Sequence, residues 1–172
     1  DGTVYNTSHR HLVSATRFVF NGAMAQRHTG RQAVAGWAAH GLAHLEAFRR
    51  ADGLYAWTVQ DGQIEDASVM AYGQAFVLLA KAHALSVGCA DRAAVADAFD
   101  RMNGVFYNAV DRAYADEVTP EGVLLDYRGQ NANMHMCEAC LAAYEFTGEV
   151  RYLDRAESLI EKFAFELADQ AQ

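Results

Sequence analysis

The sequence predicts an all-α fold built from three stacked helical hairpins. Three observations carry that reading. Apolar residues recur at helical spacing in six segments, most of them separated by glycine-bearing turns. Those segments alternate between helices apolar nearly all round and helices with a charged stripe, the pattern of an inner and an outer layer. The unit of apolar helix, turn, more polar helix and loop occurs three times in 172 residues, a length that suits one domain over residues 1–172. With 52% hydrophobic residues, 21% charged residues and one proline, the chain is globular and helix-rich by composition.

Taken in order, Thr7 or Ser8 caps a first helix that runs to about Gln26, with Leu12, Val13, Phe18, Val19, Phe20, Ala23 and Met24 at helical spacing. After a turn at His28, Thr29 and Gly30, a second helix reaches about Arg50 and buries Ala35, Leu42, Leu45 and Phe48. Residues 54–57 are extended, and Asp61-Gly62 marks a tight turn. The third helix spans about Ala67 to Ser86, Gly88 stops it, and the fourth runs from about Asp91 to Tyr107. Residues 108–127 form a polar excursion with short strand pieces around Thr119, Pro120, Glu121 and Gly122. Gly129 then breaks the chain, Asn131 caps a fifth helix through Tyr144, and a turn at Thr147, Gly148 and Glu149 leads to a sixth from Val150 to about Leu167. Residues 168–172 are expected to fray.

The odd helices read as the inner layer. The even ones carry Arg92, Asp97 and Arg101, then Arg151, Asp154, Arg155, Glu157, Glu161 and Lys162, and read as the outer layer. Arg17, Gln74 and His135 take comparable places in the three inner helices, 57 and 61 residues apart. Tyr72 and Asn131 also interrupt this apolar layer. An unpaired arginine buried there would be very costly, so a polar, water-filled pocket along the axis of the stack is expected. Residues 128–138 concentrate the polarity. Asn131 and His135 lie at i and i+4, His135 and Glu138 at i and i+3, and the start of a helix welcomes an anion. This is a floor for a sugar or an oxyanion; the plainer alternative makes Asn131 a cap and His135 a core histidine.

A net charge of −8 argues against nucleic acid or an anionic membrane surface as partner. Apolar runs such as residues 75–80 are too short to span a bilayer, and no basic leader opens the chain. Three cysteines form no disulfide framework, which suggests the cytoplasm. Because the first residue is Asp, a trimmed piece of something longer is expected.

The string Asn131-Ala132-Asn133-Met134-His135-Met136-Cys137-Glu138-Ala139 resembles a motif of the N-acylglucosamine 2-epimerase superfamily, as do residues 141–148 and 151–156. The likeness is greatest to the branch of aldose–ketose isomerases acting on mannose. Ala15-Thr16-Arg17 and Tyr72-Gly73-Gln74-Ala75-Phe76 are similar to two further segments of that family, in the right order and one per repeat. The resemblance implies an (α/α)6 barrel of about twelve helices, of which this chain supplies the amino-terminal half. It also implies that the two histidines that shuttle protons lie in the other half.

By that resemblance, Arg17 holds the O1/O2 edge of an opened sugar, since a guanidinium stays charged and offers a fork of donors. His135 assists ring opening or orients O1. Tyr72 and Asn131 bind hydroxyls, Trp57 stacks on a sugar face, Gln74 is a second-layer partner, and Glu138 orients His135 or pairs with Arg17. The expected reaction interconverts mannose, or a related aldose, and fructose through a cis-enediolate. Alternatives are a hexose or N-acylglucosamine 2-epimerase, a hydrolase using Asp61, Glu65 and Asp66, or a helical scaffold without chemistry. No metal or other cofactor is expected: Cys137 and Cys140 lack a second pair, and His40 and His44 read as a surface pair. His9 and His11 read as solvated and His83 as structural. The expected partner is a small-molecule sugar, with a homodimer as an admissible assembly.

Overall fold

The computed structural model describes residues 3, 4 and 6–169; the fraying expected at residues 170–172 lies outside them. Three helices form one layer: α1 (Leu12–Thr29), α3 (Ala71–Leu85) and α5 (Gln130–Thr147). The central α3 packs against both others. Against them lie α2 (Trp37–Leu45) on α1, α4 (Arg92–Phe106) on α3, and α6 (Val150–Ile160) on α5. Flanked on every side, α3 buries all but two of its fifteen residues, which is why its sequence shows no polar face. One core cluster gathers Phe99, Met102, Phe106, Met136, Tyr152 and Leu159 around α3–α6. The other gathers Leu12, Val19, Leu45, Phe48 and Val77 between α1, α2 and α3.

Short strands sit at the starts of the inner helices. β1 (His9–His11), β2 (Thr58–Gln60) and β3 (Gln63–Asp66) form an antiparallel sheet in that order. β4 (Val69–Met70) pairs with β7 (Glu117–Val118), and β5 (Tyr107–Asn108) with β6 (Ala113–Tyr114). The Leu12 N–H donates to the Trp57 carbonyl at 3.0 Å, and the Ala71 N–H to the Asp116 carbonyl at 2.8 Å. Helix starts at residues 12, 71 and 130, and these acceptors at 57 and 116, all recur every 59 residues.

Two buried amides repeat at the same interval. The Gln74 side chain accepts from the Tyr55 N–H at 3.1 Å and donates to the Tyr55 carbonyl at 2.8 Å. Asn133 does the same for Tyr114, at 2.8 and 3.1 Å, and donates to the Gly129 carbonyl at 2.8 Å. Each amide thus satisfies a peptide that enters the core without a ladder partner on that side.

Several expected boundaries move. The first helix starts at Leu12 because residues 9–11 pair with β2, and His11, not Thr7 or Ser8, caps it. The third starts at Ala71, so Glu65 and Asp66 are strand residues and not helix-start charges: Glu65 accepts from the Thr58 hydroxyl and Asp66 from the Ser68 N–H. The expected second helix is broken into a 3-10 turn at Gln32–Val34, α2, and a 3-10 turn at Glu46–Phe48, with Gly36 left-handed (φ 88°) at the start of α2. Asp61 and Gly62, at φ 51° and 75°, make the β2–β3 hairpin turn as expected. Thr119 to Gly122 is a turn, the strands lying at Tyr107–Asn108, Ala113–Tyr114 and Glu117–Val118. Beyond Ile160 the sixth helix widens into a π-helical stretch, Glu161–Glu166, before Leu167–Asp169.

Candidate functional site

The 59-residue register corrects one equivalence. The counterpart of Arg17 and His135 in the central helix is Phe76, not Gln74. The three side chains form a stack: the Arg17 guanidinium carbon lies 4.8 Å from the Phe76 ring centroid, and the His135 ring 4.8 Å from it on a neighbouring helix. Tyr72 closes the group at 4.9 Å from His135 and 5.1 Å from Phe76. Trp57 continues the aromatic chain 6.4 Å from Tyr72.

Arg17 is exposed and makes no ion pair among the described residues, so no buried-arginine penalty arises. Its apolar stem covers the layer while the charged head stays in water. Phe76 is only 5% exposed and fixes the separation between Arg17 and His135. His135 is half-buried, and its Nδ1 lies 2.9 Å from Glu138 Oε2. A carboxylate can only accept, so Nδ1 carries the hydrogen of this contact and Nε2 is left to face a ligand. Of the two roles expected for Glu138, the geometry forms the His135 contact. Asn131 is exposed, one turn before His135 in α5. It is not the cap: Gly129 takes that position and has no side chain to cap with, and its N–H donates to Asp116 Oδ1 at 2.6 Å.

Arg17, Tyr72, His135, Glu138 and Trp57 are therefore brought together, with Asn131 at the edge. Gln74 is not among them; it faces Tyr55 inside the core. His11 was missed. Its Nδ1 accepts from the Val13 N–H at 3.2 Å, and its ring meets Trp57 edge-on at 4.2 Å. Burial, then the nearby His9, pushes its pKa down, a shift that favours the neutral ring this cap uses. Phe76 was present in a quoted motif without a role; the repeat interval is the signal that finds it. His9 is not simply solvated, with Nε2 3.3 Å from Glu65 Oε2. His83 lies in the core, against Phe20 at 4.6 Å and Phe146 at 5.0 Å. Cys89, Cys137 and Cys140 are free thiols.

A layer of inner helices backed by outer ones, with a cation, an imidazole and aromatic rings on its open face, defines half of a helical-hairpin toroid with a polar axis. The chain belongs to the N-acylglucosamine 2-epimerase (GlcNAc 2-epimerase) family, whose model matches residues 1–172. It is 39% identical over 162 residues to a D-mannose isomerase of Marinomonas mediterranea, covering 92% of this chain and 41% of that one. A solved D-mannose isomerase superposes with a TM-score of 0.93 at 37% identity, over 98% of this chain and 45% of that one. A cellobiose 2-epimerase from Bacillus thermoamylovorans gives 0.84 at 20% identity, over 95% and 46%, a likeness of fold alone. These neighbours are (α/α)6 barrels, and the chain spans less than half their length. No helix among the described residues is long and apolar enough to cross a membrane.

Proposed function

We propose that the protein is an aldose–ketose isomerase that interconverts mannose, or a closely related aldose, and fructose through a cis-enediolate, and that this chain is the amino-terminal half of its barrel. The observation that carries the reading is the Arg17–Phe76–His135 stack, which fixes a cation and a hydrogen-bonding imidazole side by side on the inner face. The likeness to D-mannose isomerases across nearly the whole chain supports the substrate.

In this reading a base removes the C2 proton of the open-chain sugar and the proton returns at C1. Negative charge gathers on O1 and O2 in between. Arg17 supplies preorganised donors to those oxygens. His135, oriented by Glu138, offers Nε2 as the acceptor for a sugar hydroxyl, or as its donor once protonated. Tyr72 and Asn131 hydrogen-bond further hydroxyls, and the Trp57 face packs on the sugar. Three unpaired thiols suit a reducing compartment, so we place the enzyme in the cytoplasm.

The test uses the full-length protein. Arg17→Ala should lower kcat for mannose isomerisation by about 100- to 1,000-fold, the size of losing a transition-state donor, with an unchanged circular dichroism spectrum. Phe76→Leu, which removes the spacer ring, should cost about 100-fold. Wild-type turnover in Arg17→Ala refutes the assignment. The family's name favours a second reading, a 2-epimerase, which would place the returning proton on the other face of C2.

A further inference from the structure

On the outer side of α3, away from the polar stack, lies a hollow of about 520 Å³. Its walls come from α2 and the 3-10 turn after it, α3, the α3–α4 connection and α4; Leu42, Leu45, Ala90 and Ala94 supply an apolar part, and Glu46, Arg49, Asp91 and Asp97 a charged one. Two polar side chains line it while being more than nine-tenths buried: Lys81 is 8% exposed and Tyr55 is 3% exposed. Among the described residues, neither the Lys81 ammonium nor the Tyr55 hydroxyl has a hydrogen-bond or ion-pair partner. The ammonium lies 5.4 Å from the Tyr55 ring centroid.

The carboxylates that border the hollow are already engaged. Glu46 pairs with Arg49 at 3.5 Å. Asp97 takes Arg101 at 2.7 Å and Arg49 at 3.7 Å. Asp91 caps α4 by accepting from the Ala94 N–H at 2.8 Å. Lys81 is thus the cation of this hollow without an ion-pair partner among the described residues, with Asp97 and Glu46 acting on it only at a distance. The stem of Lys81 is buried while its ammonium stays open to the hollow, where an anion can reach it.

We propose that this hollow binds a small organic carboxylate, its anionic end on the Lys81 ammonium and the Tyr55 hydroxyl and its short apolar chain against Leu42, Leu45 and Ala94. One cation and one neutral donor match a single negative charge better than the double charge of phosphate, and the apolar walls match a hydrocarbon tail. Burial holds the Lys81 pKa below its ordinary value and pushes Tyr55 up to about 12. By linkage, an anion that prefers the protonated amine must raise the Lys81 pKa when it binds.

The experiment titrates the full-length protein with sodium butyrate while the lysine side-chain carbons are followed by NMR. We expect saturable binding, a Lys81 signal that titrates at higher pH when butyrate is bound, and affinity at least tenfold weaker in Lys81→Met. Tyr55→Phe, which removes only the hydroxyl, should weaken binding about threefold to tenfold, the range of a single hydrogen bond. Thermal melts check that both variants fold, and Lys81→Arg, which keeps the charge, should retain binding if Lys81→Met does not fold. Butyrate shifts that fail to saturate, or that persist unchanged in Lys81→Met, overturn the site. Saturable binding of inorganic phosphate with no binding of butyrate overturns the ligand class.

Discussion

Replacing Asn133 with Ala removes the amide that holds Tyr114 to α5. Asn133 is fully buried, and so is Tyr114. The pairing of β5 with β6 occupies the other edge of this strand, so the Tyr114 N–H and carbonyl have no second partner to turn to. Each buried backbone group left unmatched costs about 1–3 kcal/mol, so the pair costs about 2–6 kcal/mol. Total stability for a domain is about 5–15 kcal/mol, so the variant should be severely weakened. Gln74→Ala strands the same two groups of Tyr55 and should fall in the same range. The loss should be larger at Asn133, which makes a third bond to the Gly129 carbonyl. Asn133→Asp keeps an acceptor for the N–H but turns a carboxylate toward the Tyr114 carbonyl, so it should not rescue. The assay is urea unfolding of the full-length protein, followed by far-ultraviolet circular dichroism. A loss below about 1 kcal/mol in Asn133→Ala would refute the reasoning, because desolvated peptide groups would then be finding other partners.

Gly22→Ala would set a Cβ 2.9 Å from the Ala38 backbone nitrogen and 3.0 Å from the Trp37 Cβ, contacts that a backbone cannot yield cheaply. It should destabilise by about 1–3 kcal/mol, read as a lower urea midpoint. His83 is buried against Phe20 and Phe146, and burial holds its pKa below the ordinary 6.5. The unfolded chain therefore binds more protons, so stability is full above pH 6.5 and falls as pH drops from there toward the lowered folded-state pKa. His83→Leu should flatten that part of the Tm-against-pH curve; an unchanged slope counts against His83 as its source.

Six helical segments were legible because apolar residues recur at helical spacing in each, a signal that does not depend on distant residues, although the second is a nine-residue helix between two 3-10 turns. The strands were not. His9–His11 pairs with Thr58–Gln60, and a three-residue strand is too short to show alternation. That pairing moved the first helix start from Thr7 or Ser8 to Leu12, and the same effect moved the third from Ala67 to Ala71. The clustering of Arg17, Tyr72, His135 and Glu138 was legible because chemistry and register agreed there. The sequence misled at Gln74, read as a second-layer partner and as the counterpart of Arg17 and His135, whereas the register points it at Tyr55. Asn131 and Asn133 show the same ambiguity: two amides in one turn, one exposed and the other a core fastener, with only the α5 rotation to separate them.

The most direct test of the isomerase reading is a proton NMR time course of the full-length protein with mannose in heavy water. The account predicts fructose carrying deuterium at C1 to the extent that the transferred proton exchanges with solvent. Glucose labelled at C2, with no accumulating ketose, would contradict it and favour the 2-epimerase. No change in mannose, with the protein folded and N-acetylmannosamine also untouched, would contradict both.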